Sequence, residues 1–278
     1  MVVQHNLTAM NSNRMLGITT NAQAKQTERL ASGYRINRAA DDAAGLSVSE
    51  KMRRQIRGLD QASANAQDGV SLVQSAEGAL NEVHDMLQRM NELTVKAANG
   101  TYTTTQKQYI ADEINQLISE IDRIATTTKF NDQSVLNGSG ANAKSFSFQV
   151  GNESGETMSV AISKMTATKL ATNLKNQSWS AATQYNAVAS FITVISSALE
   201  KVASQRSALG AVQNRLEHTI NNLDNIVENT TAAESRIRDT DMAKSMVSYS
   251  NNQILAQAGQ AMLAQANQSN QGVLSLLQ

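Results

Sequence analysis

Not one proline occurs in these 278 residues, where average usage of about 5% would place roughly 14. Proline lacks an amide donor and its ring clashes with the preceding helical turn, so its absence removes the commonest limit on helix length. Periodicity then says where the helices run. Met52, Ile56, Leu59, Ala66, Val70 and Val73 alternate in steps of four and three, with Ser63 as a weak member, which is a heptad pattern. The spacing predicts a register shift near Ala76 and resumption through Leu80, Val83, Leu87 and Met90, up to a stop at Asn99-Gly100. A helix of about 55 residues starting at Asp41 would be roughly 80 Å long. Ile110, Ile114, Leu117, Ile121 and Ile124 mark a second helix. Tyr185, Val188, Ile192, Ile195, Leu199, Val202 and Leu209 mark a third, continuing to about Arg236. Seams this narrow suit coiled-coil packing. Arg206, on the third seam, reads as a snorkelling or partner-satisfied arginine.

Residues 129–180 change to Gly, Ser, Asn and Thr, and the period becomes two. Phe146, Phe148 and Val150 alternate with polar residues, GNESG follows, and Met158, Val160 and Ile162 alternate again. This reads as a β-hairpin with a glycine-containing loop. The expected fold is mainly α: a long antiparallel helical bundle or coiled-coil rod with a small β-hairpin region and the two terminal helices paired.

Charge is balanced overall, 24 Lys+Arg against 24 Asp+Glu, so no global field points to nucleic acid or an anionic membrane. Its placement is uneven. Arg14 is the only charged residue among the first 24, and none occurs from Ser245 to Gln278. Both ends are rich in Ala, Leu, Met, Gln, Asn and Ser, which favour helix but lack the charges that keep a free helix dissolved. Disordered tails and Gln/Asn-rich aggregation sequence are the alternatives. The first is disfavoured by the apolar content, the second by the Ala, Leu and Met that favour helix over cross-β. The reading that fits is a pair of helices meant to be buried against each other and against further copies, taking helical form only when subunits pack. The start of the chain has neither a basic segment nor an apolar core of signal-peptide type, and no stretch approaches 18 apolar residues, so any export is expected to use another signal.

Chemistry finds little support. His5, His84 and His218 stand far apart and are expected on solvent-facing helix positions, with no metal-ligand spacing and no cofactor site among them. Asp41-Asp42, the best carboxylate pair, falls where acids cap the start of the long helix. The glycines form no phosphate cradle and no serine stands in a nucleophile elbow. Cysteine is absent, which removes disulfides and thiolate chemistry. No catalytic, cofactor or metal residue is expected.

ERLASGYRIN at 28–37, AADDAAG at 39–45 and GLDQASANAQDGVSLVQSAEGALNEVHDMLQRMNEL at 58–93 resemble the amino-terminal region of bacterial flagellins. LGAVQNRLEHTINNL at 209–223, SRIRDTDMA at 235–243 and ILAQAGQAMLAQANQ at 254–268 resemble the carboxy-terminal region. The resemblance implies that residues 1–43 and 237–278 form the inner core of a hollow filament, that 44–128 and 181–236 form a helical rod domain around it, and that 129–180 replace a variable outer domain. It implies a polymerisation core including Leu7, Ile18, Leu30, Ile254, Leu255, Met262, Leu263, Leu274 and Leu277. A hook-filament junction protein of the same family is the alternative.

The implied partners are identical subunits, a filament cap protein, hook-filament junction proteins, an export chaperone and the toll-like flagellin receptor, the last through Arg89, Leu93 and Glu113. The implied location is the extracellular filament, reached by type III export without a cleaved signal peptide. No nucleic acid or membrane partner is implied, and a lipid-binding helix would need the basic polar face that the ends lack. Flagellins often carry a proline where Asn270 stands, so this chain gives no reason to expect a kink there.

Overall fold

The computed structural model describes residues 6–138, 143–170 and 184–276, with side chains outside 184–187 and 270–276. Among the described residues six helices and four short strands run in the order α1 (Leu7–Ser32), α2 (Ala43–Ala98), α3 (Thr104–Thr127), β1 (Lys129–Phe130), β2 (Gln133–Ser134), β3 (Lys144–Gln149), β4 (Thr157–Ile162), α4 (Ala167–Leu170), α5 (Gln184–Arg238) and α6 (Met242–Leu276). The long helix ends where the Asn99-Gly100 signal placed its stop, and the third begins one residue before Tyr185. Contacts divide the chain into two compact units, Met1–Ile56 with Glu228–Gln278, and Arg57–Val227.

The larger unit is an antiparallel helical bundle with the strand pairs packed on it. Leu80, Leu87 and Met90 of α2, Ile114 and Ile121 of α3, and Ile195 and Leu209 of α5 are fully buried in one cluster, joined by Leu136, Ile162 and Leu170 from the strand region. Ser63 donates to Asp224 at 3.2 Å and Arg206 pairs with Glu77 at 3.8 Å, which fixes α2 and α5 antiparallel. The pairing confirms Arg206 as a satisfied seam residue.

The buried positions of α2 correct the expected register. Ala62, Ala66, Gly69, Val73, Ala76, Leu80, Val83, Leu87 and Met90 are all buried in unbroken steps of four and three. Gly69 therefore replaces half-buried Val70 on the seam, and the shift lies near Leu59–Ser63, not at Ala76. A glycine sends no hydrophobic signal. It is used here because a Cβ at Gly69 would stand 3.3 Å from Leu216 Cδ1 and 3.4 Å from Phe148 Cδ2, so partner side chains fill the seam in its place.

The expected hairpin forms, with Phe146 opposite Val160 and Phe148 opposite Met158. Met158, Val160 and Ile162 point into the core. The outer edge of β4 is closed by one α5 side chain: Gln205 accepts from Ser163 N–H at 3.2 Å and donates to Ala161 O at 3.1 Å, as a neighbouring strand would. The period-two pattern missed the β1–β2 pair. Its turn uses Asn131 and Asp132, both left-handed at φ 48 and 60, as a two-residue hairpin of the primed type demands. Also missed was α4, whose Ala167 N–H donates to Asp122 Oδ1 at 2.8 Å and whose Leu170 carbonyl accepts from Lys201 Nζ at 2.7 Å.

Because the Gly69 site is already filled, replacing it with a large side chain forces the bundle apart. Gly69→Leu is expected to cost about 1–3 kcal/mol by overpacking, read as a lower urea midpoint for bundle unfolding at unchanged slope.

Candidate assembly surface on the paired terminal helices

Helix α1 starts at Asn6, whose Oδ1 accepts from Ala9 N–H, and stops at Gly33, left-handed at φ 76 with its N–H on Arg29 O. Only glycine holds that conformation without strain. The chain then meets the far end of α5. Arg35 N–H donates to Arg238 O at 2.7 Å and Thr240 N–H to Gly33 O at 2.9 Å, while Arg35 Nη2 donates to Ile237 O. The Arg238 guanidinium lies 4.5 Å from the Tyr34 ring centroid and pairs with Glu50 at 3.3 Å and Glu234 at 3.8 Å. This clasp joins the inner ends of the two terminal segments.

The Asp41-Asp42 pair divides its labour. Asp42 caps α2 as expected, its Oδ1 accepting from Gly45 N–H at 2.8 Å. Asp241 starts α6 the same way through Lys244 N–H at 3.0 Å. Asp41 instead holds the α1–α2 loop: its carboxylate accepts from Lys25 Nζ at 2.7 Å and from the Arg38 and Asn37 N–H groups at 3.1 and 3.3 Å.

From the clasp outward α1 and α6 run antiparallel, with Leu16 against Gly259, where a Cβ would stand 3.2 Å from Leu16 Cδ1, and Asn6 Nδ2 donating to Ala266 O at 3.0 Å. Both helices turn a heptad inward. On α1 the covered positions are Ala9, Ser12, Leu16, Thr19, Gln23, Gln26 and Leu30; on α6 they are Ser245, Tyr249, Asn252, Ala256, Gly259, Leu263 and Ala266. The residues are mostly small or polar, and α1 has no fully buried residue. Gln26 Oε1 and Arg29 Nε are buried without a partner, which opposes pairing. In this structure both ends are helices paired with each other. Little large apolar surface is buried in the pair, since α1 has no fully buried residue.

What the seam omits lies outside. Leu7, Met10, Met15 and Ile18 of α1 are exposed and fall within an arc of about 140° at roughly 100° per residue. Val247, Ile254, Leu255 and Met262 of α6 are exposed too, within about 100°. Of the residues expected in the polymerisation core, the structure leaves Leu7, Ile18, Ile254, Leu255 and Met262 on this outer surface. Leu30 and Leu263 are half-buried on the intrachain seam. The Leu274 side chain and Leu277 lie outside the described residues. Sequence patterning passed over Met10, Met15 and Val247, because unpaired apolar positions on a helix with polar neighbours give no seam.

On the bundle, Arg89 Nη2 donates to Glu113 at 3.0 Å and Nη1 to Glu92 at 3.3 Å; Glu113 first, then Glu92, hold the guanidinium pKa above its ordinary value. Arg89 and Glu113 are about half exposed, whereas Leu93 is 3% exposed and belongs to the core. His218 is exposed, but His84 is half-buried, its Nε2 2.8 Å from Gln88 Nε2. This corrects the expectation of a solvent-facing His84. Among the described residues no group of His, Cys, Asp and Glu could hold a metal ion, and no helix is long and apolar enough to cross a membrane.

Comparison with known proteins gives matches to the family described as the bacterial flagellin N-terminal helical region, over residues 3–141, and the bacterial flagellin C-terminal helical region, over residues 192–277. A flagellin of Halalkalibacterium halodurans is 52% identical over 277 residues, spanning 100% of both chains. A flagellin of Bacillus subtilis is 49% identical over 303 residues, again spanning 100% of each. A flagellar filament 31.3 kDa core protein of Treponema maltophilum is 49% identical over 289 residues and 100% of each chain.

The Asp41 contacts set a pH dependence. Hydrogen bonding from Lys25, with the Arg38 amide next, lowers its pKa from 3.8 to about 2. A carboxylate with a depressed folded pKa contributes stability above its unfolded value, lost as pH falls through the folded one. Protection of the Asn37 and Arg38 amides is therefore expected to be steady above about pH 4 and to fall toward pH 2. Exchange protection factors check this, and Asp41→Asn should flatten the profile.

Proposed function

The chain belongs to the bacterial flagellin family, and on that premise we propose how its parts serve a structural subunit that polymerises into the flagellar filament. The observation that carries the reading is the inverted packing of the terminal helices: small and polar side chains face each other, while Leu7, Ile18, Ile254, Leu255 and Met262 face outward. Burying one such side chain contributes about 1.5–3 kcal/mol, and only further subunits offer the surface to do it. Segments 1–43 and 237–278 then form the inner tube, 44–128 and 181–236 the surrounding helical layer, and 129–180 a small outer region that leaves the filament slender. The role is structural, not catalytic. A cap protein at the growing tip, junction proteins at the hook and an export chaperone on the carboxy-terminal segment complete the set of partners.

The pair α1–α6 is marginal alone and secured by neighbours. In free subunits both helices are expected to exchange amide hydrogens faster than the buried seams of α2, α3 and α5, and to become protected in filaments. Removing residues 245–278 should abolish filaments seen by electron microscopy while leaving the 57–227 bundle folded by circular dichroism. A truncated protein that still polymerises would sink the assignment.

A second surface is proposed for the toll-like flagellin receptor. Arg89 and Glu113 are the accessible members of the expected trio, and Leu93 supports them from beneath. Arg89→Ala should weaken binding of the monomer to the receptor ectodomain about tenfold or more, the scale of an arginine hot spot, measured by surface plasmon resonance. An unchanged affinity removes the site.

A further inference from the structure

Methionine is distributed unevenly over the molecule. Met10, Met15, Met242, Met246 and Met262 are 63, 51, 48, 52 and 62% exposed, whereas Met90, Met158 and Met165 are 0, 9 and 3% exposed. Met52 and Met86 are half-buried. Every exposed methionine among the described residues therefore lies on α1 or α6. Met10 and Met15 share the outer arc with Leu7 and Ile18, and Met262 shares the other arc with Val247, Ile254 and Leu255. Met242 and Met246 occupy the first turns of α6, on a different face. The thioethers in the two arcs stand where apolar packing has no partner inside the single chain.

We propose that these five thioethers are a peroxide-sensitive modification site that decides whether a subunit can join the filament; this rests on the assembly reading above. In the reaction a sulfur lone pair attacks one oxygen of hydrogen peroxide and the O–O bond breaks. One oxygen stays on sulfur as the sulfoxide, the other leaves as water, sulfur is oxidised by two electrons and the peroxide is reduced by two. The product is polar, chiral and strongly hydrated where the parent was apolar and flexible. A sulfoxide on α1 or α6 brings bound water into a surface that must become dry, and leaves an oxygen without a donor when packed. Five apolar neighbours remain, Leu7, Ile18, Val247, Ile254 and Leu255, but the arcs no longer close. Subunits already in the filament cover the same sulfurs, so the free subunit is the vulnerable form. Methionine sulfoxide reductases reverse the change.

The full-length chain tests this. Free subunits are treated with hydrogen peroxide, mapped by peptide mass spectrometry, induced to polymerise and sedimented. Expected are sulfoxides at Met10, Met15, Met242, Met246 and Met262 before Met90, Met158 and Met165, and a loss of sedimentable polymer of about tenfold or more, restored by the two reductases acting on the two sulfoxide epimers. Filaments exposed to the same peroxide should take up far less at those positions. A variant carrying Leu at all five should polymerise equally with and without peroxide; if that variant fails to assemble untreated, recovery of the oxidised parent by reductases decides. Oxidised subunits that polymerise like untreated ones, no recovery after reduction, or earlier oxidation of Met90, Met158 or Met165 would each overturn the proposal. Untreated parent that does not polymerise overturns the assembly reading instead, a result distinct from all of these.

Discussion

The antiparallel pairing of α1 with α6 sets the constraint that the rest of the molecule serves. Two helices in contact can each cover only one stripe, and here the covered stripe is made of Ala, Ser, Gln, Thr, Asn and Gly, with Leu16, Leu30, Leu263 and Tyr249 among them. Small residues let the backbones approach, as Gly259 does against Leu16. They also decide by elimination what remains outside: the larger apolar side chains, on segments almost without charge. A protein meant to end its folding in one chain would place those residues the other way round.

The bundle of residues 57–227 uses the same three-and-four spacing with another alphabet. Its seams are mainly Leu, Ile, Val and Met, with Ala and Gly69 among them, and its largest fully buried side chains, from Leu80 of α2 to Leu209 of α5, lie in one cluster. Identical periodicity thus supports two different stabilities. Helix formation by propensity gives marginal order, whereas burial of large apolar groups gives protected order. The composition of the seam, not its period, decides which of the two a segment receives.

Much of this was legible in the sequence. The helix of α2, its stop at Asn99-Gly100, the extent of α5 and the two alternating runs of the β3–β4 hairpin all follow from spacing, because each is written in large apolar residues at a single period. The features that escaped are those whose signal is silence or local geometry. Gly69 is a seam position with no side chain, so the pattern slid to Val70 and invented a break at Ala76. The β1–β2 turn depends on two left-handed residues, Asn131 and Asp132, within strands too short for any period. The intrachain seam of α1 and α6 was hidden because polar residues occupy it, and the apolar residues that drew the eye mark the opposite face.

The clasp around Gly33, Arg35, Arg238 and Thr240 determines the direction in which order can spread. Residues 33 and 240 are far apart along the chain, so the contact between them closes a long loop. Once the backbone bonds between them are made, the next heptads of α1 and α6 are already adjacent, and each further turn is added like the next tooth of a zip. The two helices therefore have a fastened end and a free end, and fraying runs inward from Asn6 and Ala266 toward Tyr34 and Asp239. A neighbour arriving at the free end finds strands of the zip that are open part of the time, and so meets the chain where it is easiest to rearrange.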